Sequence, residues 1–144
     1  MAAILSLAQQ LEALIARIKT EVGGLKSVVG LEELEEAMET DELLPAAVVI
    51  YSGDYPEKPV PGLSVHAGQK INRYWSVIVV LELTAGPGEA LDLIEAVETA
   101  GVGWQPCRGA RFLAAAGKRF VAKFNQTRVV YEVRFTTMTT MTTT

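Results

Sequence analysis

The residues of this sequence that could act as a nucleophile, a base or a metal ligand are few and far apart. The chain has one histidine, His66, and one cysteine, Cys107. A zinc site requires several such ligands, and a thiol nucleophile requires a base beside it, so these two residues support neither arrangement. Arg108 follows Cys107 and would lower the pKa of its thiol. The pattern nevertheless favours a structural thiol and an ordinary surface histidine.

Paired carboxylates and glycine-rich turns give equally weak signals of catalysis. Glu32 and Glu36 are spaced to share a helix face, as are Glu35 and Glu39, but all four belong to a uniformly acidic run. Nothing in that run sets one carboxyl pKa apart from the others, as acid and base catalysis requires. The turn at residues 86–88 (Gly-Pro-Gly) lacks the lysine and the spacing of phosphate-binding loops. We therefore predict that the protein is not an enzyme, with no catalytic residue, no metal site and no cofactor.

The most informative property of the sequence is its uneven distribution of charge. Residues 1–100 carry sixteen acidic and six basic side chains, whereas residues 101–144 carry seven basic side chains and one acidic one. A net charge of -4 therefore hides a segment of about -10 followed by one of about +6. Such a chain is complementary to copies of itself, because charge of this kind guides association rather than folding.

A basic segment interspersed with aromatic residues also suggests nucleic-acid binding. The sequence pI is about 5.0, and alternation in the basic segment predicts that Phe112, Phe120, Phe124 and Tyr131 face the core. Both observations argue against a free nucleic-acid module.

Length and composition predict a single globular domain. The chain has 144 residues, of which 49% are hydrophobic and 21% charged. It has no apolar run approaching the roughly 18 residues of a membrane helix. The N-terminus lacks the basic region of a signal peptide, so we expect synthesis in the cytoplasm and no membrane partner.

Apolar residues at helical spacing predict three helices. The first ends at Gly23-Gly24, the second lies within the acidic run 32–42, and the third begins at Pro87. Their predicted inward-facing positions are Ile4, Leu7, Leu11, Ile15, Ile18 and Val22 in the first, Leu31, Leu34 and Met38 in the second, and Leu91, Ile94, Val97 and Ala100 in the third.

Alternating and β-branched segments predict strands over residues 46–51, 70–84 and 128–137, with a short strand near 25–29. Two further strands, 111–116 and 119–124, are predicted to form a hairpin about Gly117-Lys118. The predicted fold class is α+β, with two layers: a mostly antiparallel sheet and helices packed on one face. We expect one domain over residues 1–135 and a Thr/Met-rich tail over 136–144, which stays mobile or adds as a strand to a neighbour.

Several segments, in their order along the chain, point to a family. They are the N-terminal amphipathic helix, Pro45-Ala46-Ala47-Val48-Val49, Gln69 with Trp75-Ser76-Val77-Ile78-Val79-Val80, Leu93-Ile94-Glu95-Ala96-Val97, Gly103-Trp104-Gln105-Pro106, and Tyr131-Glu132-Val133-Arg134-Phe135. In this order the chain resembles the tail terminator or minor tail completion proteins of Mu-like and related tailed bacteriophages and prophages.

The resemblance spans nearly the whole chain and implies a structural virion protein made in the host cytoplasm. Such proteins form a ring, usually hexameric, on the last ring of the tail tube. The ring stops tube polymerisation and provides the surface that joins the head. The implied partners are further copies of the chain, the tail tube protein and a head-tail connector or neck protein, with DNA only in transit through the channel.

Rings are built from contacts in which one patch of a subunit meets a different patch of the next. We therefore predict that acidic residues of one copy meet basic residues of its neighbour. The predicted interface residues are Glu32, Glu35, Glu36, Glu39, Glu89, Asp92, Glu95, Arg108, Arg111, Lys118, Arg119 and Lys123. Acidic residues of a ring could alternatively line the channel, where negative walls avoid binding to phosphate.

Two other functions stay open on the sequence alone. The same architecture would serve a head-completion or neck connector protein. A protein of another class, a small α+β ligand-binding domain or an enzyme, would use Cys107 or His66.

Overall fold

The computed structural model of the chain describes residues 5–56, 69–83, 87–106, 111–124 and 127–141. The predictions that concern Ile4, His66, Gly86, Cys107 and Arg108 lie outside these residues. The described elements, in chain order, are α1 (Leu7–Glu21), β1 (Ser27–Gly30), α2 (Leu34–Glu39), β2 (Ala46–Pro56), β3 (Gln69–Glu82), α3 (Pro87–Gly101), β4 (Ala114–Phe124) and β5 (Arg128–Met141). Short 3-10 turns, Leu31–Glu33 and Asp41–Leu43, flank α2.

The strands form one sheet in the order β1-β2-β3-β5-β4. β1 is parallel to β2, and the other described strand pairs are antiparallel. One row of paired residues crosses the whole sheet from edge to edge, and it consists of Gly30, Val49, Val77, Val133 and Lys118. β1 and β4 are thus the edge strands, and the row places Gly30 and Lys118 at the same level on opposite edges.

The two long helices, α1 and α3, pack against one face of the sheet, which we call the helix face. Trp75, Val77 and Phe135 point from the sheet into this layer, where Ile18 of α1 and Val97 of α3 cover them. All five side chains are almost completely buried. This cluster is the main core and fixes both helices relative to the strands.

The buried side of α1 differs from the predicted stripe. Gln10, Leu14 and Ile18 are its buried residues, whereas Leu7 is exposed. Gln10 is buried with a partner, since its side-chain oxygen accepts a hydrogen bond from the buried Arg73 of β3. A pattern of apolar residues alone does not predict that a polar residue occupies the buried side of the helix.

The opposite face of the sheet, which we call the open face, is covered only in part. Ala37 of α2 and Leu44 pack on Ala46 and Val48 of β2, forming a second and smaller core cluster. The predicted α+β class with a mostly antiparallel sheet is confirmed. The two long helices share one face as predicted, and the short α2 is an addition on the other.

β4 is one continuous strand, so the predicted hairpin about Gly117-Lys118 is wrong. The strand pairs with β5 and carries two register shifts, between Ala115 and Lys118 and between Phe120 and Ala122. Gly117 lies in the first shift with a φ of +113°. A glycine at positive φ serves a bulge as well as a turn, so the residue that suggested a turn marks a β-bulge instead.

β5 continues past the predicted tail boundary at residue 135. It pairs with β3 as far as Met141, which lies opposite Gln69. Thr137 is buried, and its hydroxyl donates to the carbonyl of Arg111 at 2.7 Å. Threonine is β-branched and favours strands. Residues 136–141 accordingly belong to the sheet of their own chain.

The Gly-Trp-Gln-Pro segment joins the end of α3 to the start of β4. The N–H of Gly103 donates to the carbonyl of Leu113, and the N–H of Leu113 donates to the carbonyl of Trp104, each at 2.9 Å. Trp104 packs on the main core, and Pro106 is buried. The distinctive sequence of this segment therefore has a structural role, which is to hold α3 against the sheet.

Candidate subunit interface

The predicted acidic residues lie on two separate helices. Glu32, Glu35, Glu36 and Glu39 are exposed on α2 and the turn before it, next to the edge strand β1. A second acidic set is exposed on α3, above the helix face, and consists of Glu89, Asp92 and Glu95.

The predicted basic residues lie at the other edge of the sheet. Lys118, Arg119 and Lys123 belong to β4, and Arg111 lies just before it, and all four are exposed. The fifth predicted base, Arg108, falls outside the described residues. The fold therefore places the acids of α2 at one edge and these bases at the other.

Lys118 already has an acidic partner in its own chain. Its Nζ lies 2.9 Å from Oε1 of Glu98 on α3. The hydrogen bond with Glu98 raises the pKa of Lys118, and the charges of Glu98 and Glu95 add to this effect. The acidic stripe of α3, which consists of Glu89, Asp92, Glu95 and Glu98, is therefore partly neutralised within the chain.

Arg119 is paired within the chain as well, on the open face. Its Nε donates to Oε1 of Glu132 on β5 at 2.9 Å. Burial alone would raise the pKa of Glu132, but hydrogen bonds from Arg119 and Ser76 and the positive charge of Arg134 outweigh it and lower the pKa. Arg119 itself stays 68% exposed, so one side of its guanidinium still faces solvent.

Among the charges of the described residues that form no ion pair, several lie at the two edges. In the described part of the chain, Arg111 and Lys123 form no ion pair, and neither do Glu35 and Glu36 of α2. The edge strand β4 and the acidic helix α2 thus carry opposite charges that the subunit itself does not neutralise.

Several apolar side chains that the sequence places in the core are instead exposed. Leu31 is 56% exposed, Leu91 is 58% exposed and Phe120 is 53% exposed. Phe112 is exposed too, so the prediction that the aromatic residues of the basic segment face the core is wrong for Phe112 and Phe120. For Phe120 the reason is the edge position of β4, where the helix layer does not cover the strand.

A groove separates α3 from β4 on the helix face. Its volume is about 340 Å³. Phe120 packs edge-to-face on Tyr131, with ring centroids 5.7 Å apart, along one wall. The lining residues are Leu91, Ile94, Glu95, Lys118, Arg119, Phe120 and Tyr131.

Sequence reasoning missed this groove, although one signal was present. Lys118 and Arg119 are adjacent, and adjacent strand residues point to opposite faces. A strand with a base on each face does not bury either face at that point. The pair therefore indicates an edge strand, whose apolar residues need not be covered.

A cluster of three polar side chains, Arg73, Asp54 and Gln10, lies at the other end of the helix face and joins the elements that pack there. Arg73 donates to both carboxylate oxygens of Asp54, at 2.8 and 2.9 Å, and also to Gln10. The Arg73 hydrogen bonds hold the pKa of Asp54 below its ordinary value, whereas burial and Asp54 raise the pKa of Tyr51. The bidentate pair connects β2 with β3, and the hydrogen bond to Gln10 connects both strands with α1.

Neither a metal centre nor a membrane span is found in the residues that the structure describes. No group of three or more His, Cys, Asp or Glu side chains in them is placed to hold a metal ion. Across the same ranges, no helix is both long enough and apolar enough to cross a bilayer.

The fold is that of a small α+β domain whose sheet carries unlike charge at its two edges. The chain belongs to the phage tail terminator protein family, whose model matches residues 6–144. The family resemblance read from the sequence is thereby confirmed, and the chain is a structural component of a phage tail.

A solved structure supports the same fold. A chain from the virion of a native gene transfer agent particle aligns with a TM-score of 0.53 and 18% sequence identity, over 96% of this chain and 95% of that chain. No curated protein matches the sequence.

Proposed function

We propose that the protein closes into a hexameric ring that caps the tail tube, stops its polymerisation and provides the surface to which the head is joined. The observation that carries this proposal is the placement of unlike, unneutralised charge at the two edges of one sheet. Membership of the tail terminator family and the fold shared with a virion chain support it.

The contact that closes the ring joins the β1 edge of one copy to the β4 edge of the next. The acidic edge around α2, with Glu35 and Glu36, then faces the basic β4 edge of the neighbour, whose bases Arg111 and Lys123 lie near the two ends of that strand. Two different patches on opposite edges generate a head-to-tail contact, which closes into a ring when the rotation between copies allows it. Long-range attraction between the edges also speeds their encounter.

The acidic stripe of α3 takes a different role in this arrangement. Because Glu98 is bound by Lys118 of the same chain, the stripe is the weaker candidate for a neighbour's bases. Glu89 and Asp92 are exposed and remain for the channel wall. Negative charge there lets DNA pass without binding, since phosphate is attracted by bases and repelled by acids.

The ring's two rims bind different partners in this proposal. One rim rests on the tail tube protein, and the other receives the head-tail connector or neck protein. Both contacts follow from what the family does rather than from any single residue of this chain.

The test is the mass of the purified protein by light scattering, together with electron microscopy of the protein alone and mixed with isolated tail tubes. We expect rings in solution or at one end of the tubes. Lys123→Glu should raise the concentration needed for assembly by at least about tenfold, because like charges then meet at every contact. A protein that stays monomeric in solution and leaves tube ends bare would contradict the proposal.

The matched control is Lys70→Glu, which changes the net charge equally. Lys70 is exposed on β3, the central strand, which lies two strands in from each edge. We expect this variant to assemble like the unmodified protein, with the same salt dependence. If Lys123→Glu also assembles in the same way, the proposed edge contact is wrong.

A further inference from the structure

An exposed leucine stands among the acids at the β1 edge. Leu31 is the first residue of the turn that follows β1 and is 56% exposed. Glu32, Glu33 and Glu35 follow it and are exposed as well. The result is an apolar side chain with an acidic surround, projecting from an edge that the subunit leaves open.

The groove between α3 and β4 has the opposite character at the other edge. Leu91 and Phe120 are its exposed apolar residues, at 58% and 53%. Lys118 and the acid Glu95 border it on the helix face, whereas the side chain of Arg119 leaves the same strand toward the open face. The side chains of Lys118 and Arg119 are 46% and 68% exposed. The groove is thus an apolar depression beside two bases and one acid.

The sheet register places these two features at the same level. Leu31 directly follows Gly30, and the row of paired residues that begins at Gly30 ends at Lys118 on the rim of the groove. A neighbour placed beside the sheet, without a large shift along the strands, therefore brings its Leu31 to the level of Lys118, and a rotation of the neighbour about the strand direction turns Leu31 toward the groove on the helix face.

We propose that Leu31 of one copy inserts into the groove between α3 and β4 of the next copy, with Glu32 and Glu35 beside Lys118 and Arg119. The occupant is a second copy of this chain for three reasons. Leu31 is apolar like the groove, the acids beside Leu31 are opposite in charge to Lys118 and Arg119, and Leu31 lies close to the level of Lys118 along the strands. The inference rests on the proposed ring and names the residues at the centre of its contact.

The apolar contact and the charged surround have separate effects. Lys118 and Arg119 are already bonded to Glu98 and Glu132, so their added attraction to a neighbour is small and screened by salt. Burial of Leu31 against Leu91 and Phe120 supplies the affinity, as apolar anchors at interface centres do. The charges select the correct neighbour and its orientation.

The test is cross-linking of Glu32→Cys combined with Lys118→Cys, which flank the proposed contact and leave Leu31, Leu91 and Phe120 in place, in a chain that carries Cys107→Ser, using a short bis-maleimide. Each copy then presents both partners of the contact. A head-to-tail contact gives a ladder of covalent species up to the full ring. A ladder that stops at the dimer would indicate a two-fold contact and overturn the inference.

The control pair is Leu83→Cys with Lys118→Cys, since Leu83 is an exposed leucine at the end of the central strand. We expect no ladder from this pair. If light scattering shows that the variant with Glu32→Cys and Lys118→Cys forms rings but it gives no ladder, the inference is wrong and the proposed ring stands. If no ring forms, in solution or on tubes, the proposed function itself fails.

A single substitution gives an independent readout. Leu31→Ser should weaken assembly by about tenfold to a hundredfold, the loss expected when a buried leucine is removed from a contact. Its thermal stability as a monomer should be unchanged, because the side chain is exposed in the subunit. Leu83→Ser should leave assembly unchanged, and equal assembly of both variants would also overturn the inference.

Discussion

Gly101, the last residue of α3, lies directly against the aromatic ring of Phe135. A Cβ added at this glycine would lie 2.5 Å from two ring atoms of Phe135, which is completely buried and has no room to move. We expect Gly101→Ala to lower the free energy of unfolding by about 1–3 kcal/mol, as overpacking in a core does. Urea unfolding followed by circular dichroism measures the loss.

Gly88→Ala is the matched control in the same helix. No atom lies within 4 Å of the Cβ position at Gly88, so the substitution should be neutral or stabilising by up to about 1 kcal/mol through helix propensity. Equal stability of the Gly101→Ala variant and the unmodified protein would show that α3 does not depend on this close approach.

Asp54 and Arg73 form the best-aligned ion pair in the described residues, with side chains 21% and 10% exposed. Asp54→Asn leaves the Arg73 guanidinium buried without its carboxylate. We expect a loss of about 1–3 kcal/mol in the free energy of unfolding at neutral pH, the cost of an unsatisfied buried group. Glu21→Gln, in the more exposed pair with Arg17, should change stability by less than about 0.5 kcal/mol.

The pH dependence of this loss has a definite sign. The pKa of Asp54 is lower in the folded protein than its ordinary value of 3.8. Its contribution is therefore complete above that value, declines as the pH falls toward the folded pKa, and is absent below it. The stability difference between Asp54→Asn and the unmodified protein should shrink over that acidic range, and a difference independent of pH would contradict the assignment.

At the scale of elements, the sequence predicts what depends on local pattern. The alternation of β5 is confirmed, with Val133 and Phe135 buried on the helix face and Glu132 and Arg134 on the other. The long apolar β3 lies at the centre of the sheet, as its composition indicates. These features follow from side-chain periodicity, which a sequence displays directly.

Features set by strand order were not predictable in the same way. Phe120 and Phe124 look equivalent in the sequence, yet Phe124 packs on the smaller core cluster and Phe120 is exposed. The two register shifts of β4 and its position at the sheet edge decide this difference. Neither a bulge nor an edge is encoded by periodicity alone, because both depend on which strand lies alongside.

The candidate interface likewise has features that the sequence shows directly and features that depend on the strand order. Charge was readable from the sequence, because long stretches of one sign are visible without a fold. The placement of Glu35 and Lys123 at opposite edges needed the sheet order. Leu31 and Leu91 were expected to be buried, since an apolar residue at helical spacing usually faces a core and nothing local shows where the covering layer ends.

At the scale of the whole molecule, the proposed contact between two different edges can be tested by reversing the charge of each edge in turn. In one variant, Arg111→Glu with Lys123→Glu makes the β4 edge acidic. In a second variant, Glu32→Lys, Glu35→Lys, Glu36→Lys and Glu39→Lys together make the α2 edge basic, although Glu33 remains. Either variant alone places like charges at every contact of a ring, so each should stay unassembled at concentrations at which the unmodified protein forms rings.

Mixed in equal amounts, the two variants should assemble together. The acidic β4 edge of the first meets the basic α2 edge of the second, and the unmodified edges of the pair meet at the next contact. Such a ring must alternate and therefore closes only with an even number of subunits, as a hexamer has. Light scattering and native mass spectrometry of the mixture would show this directly. Mixed dimers alone would indicate a two-fold contact, and no assembly would show that these edges do not meet.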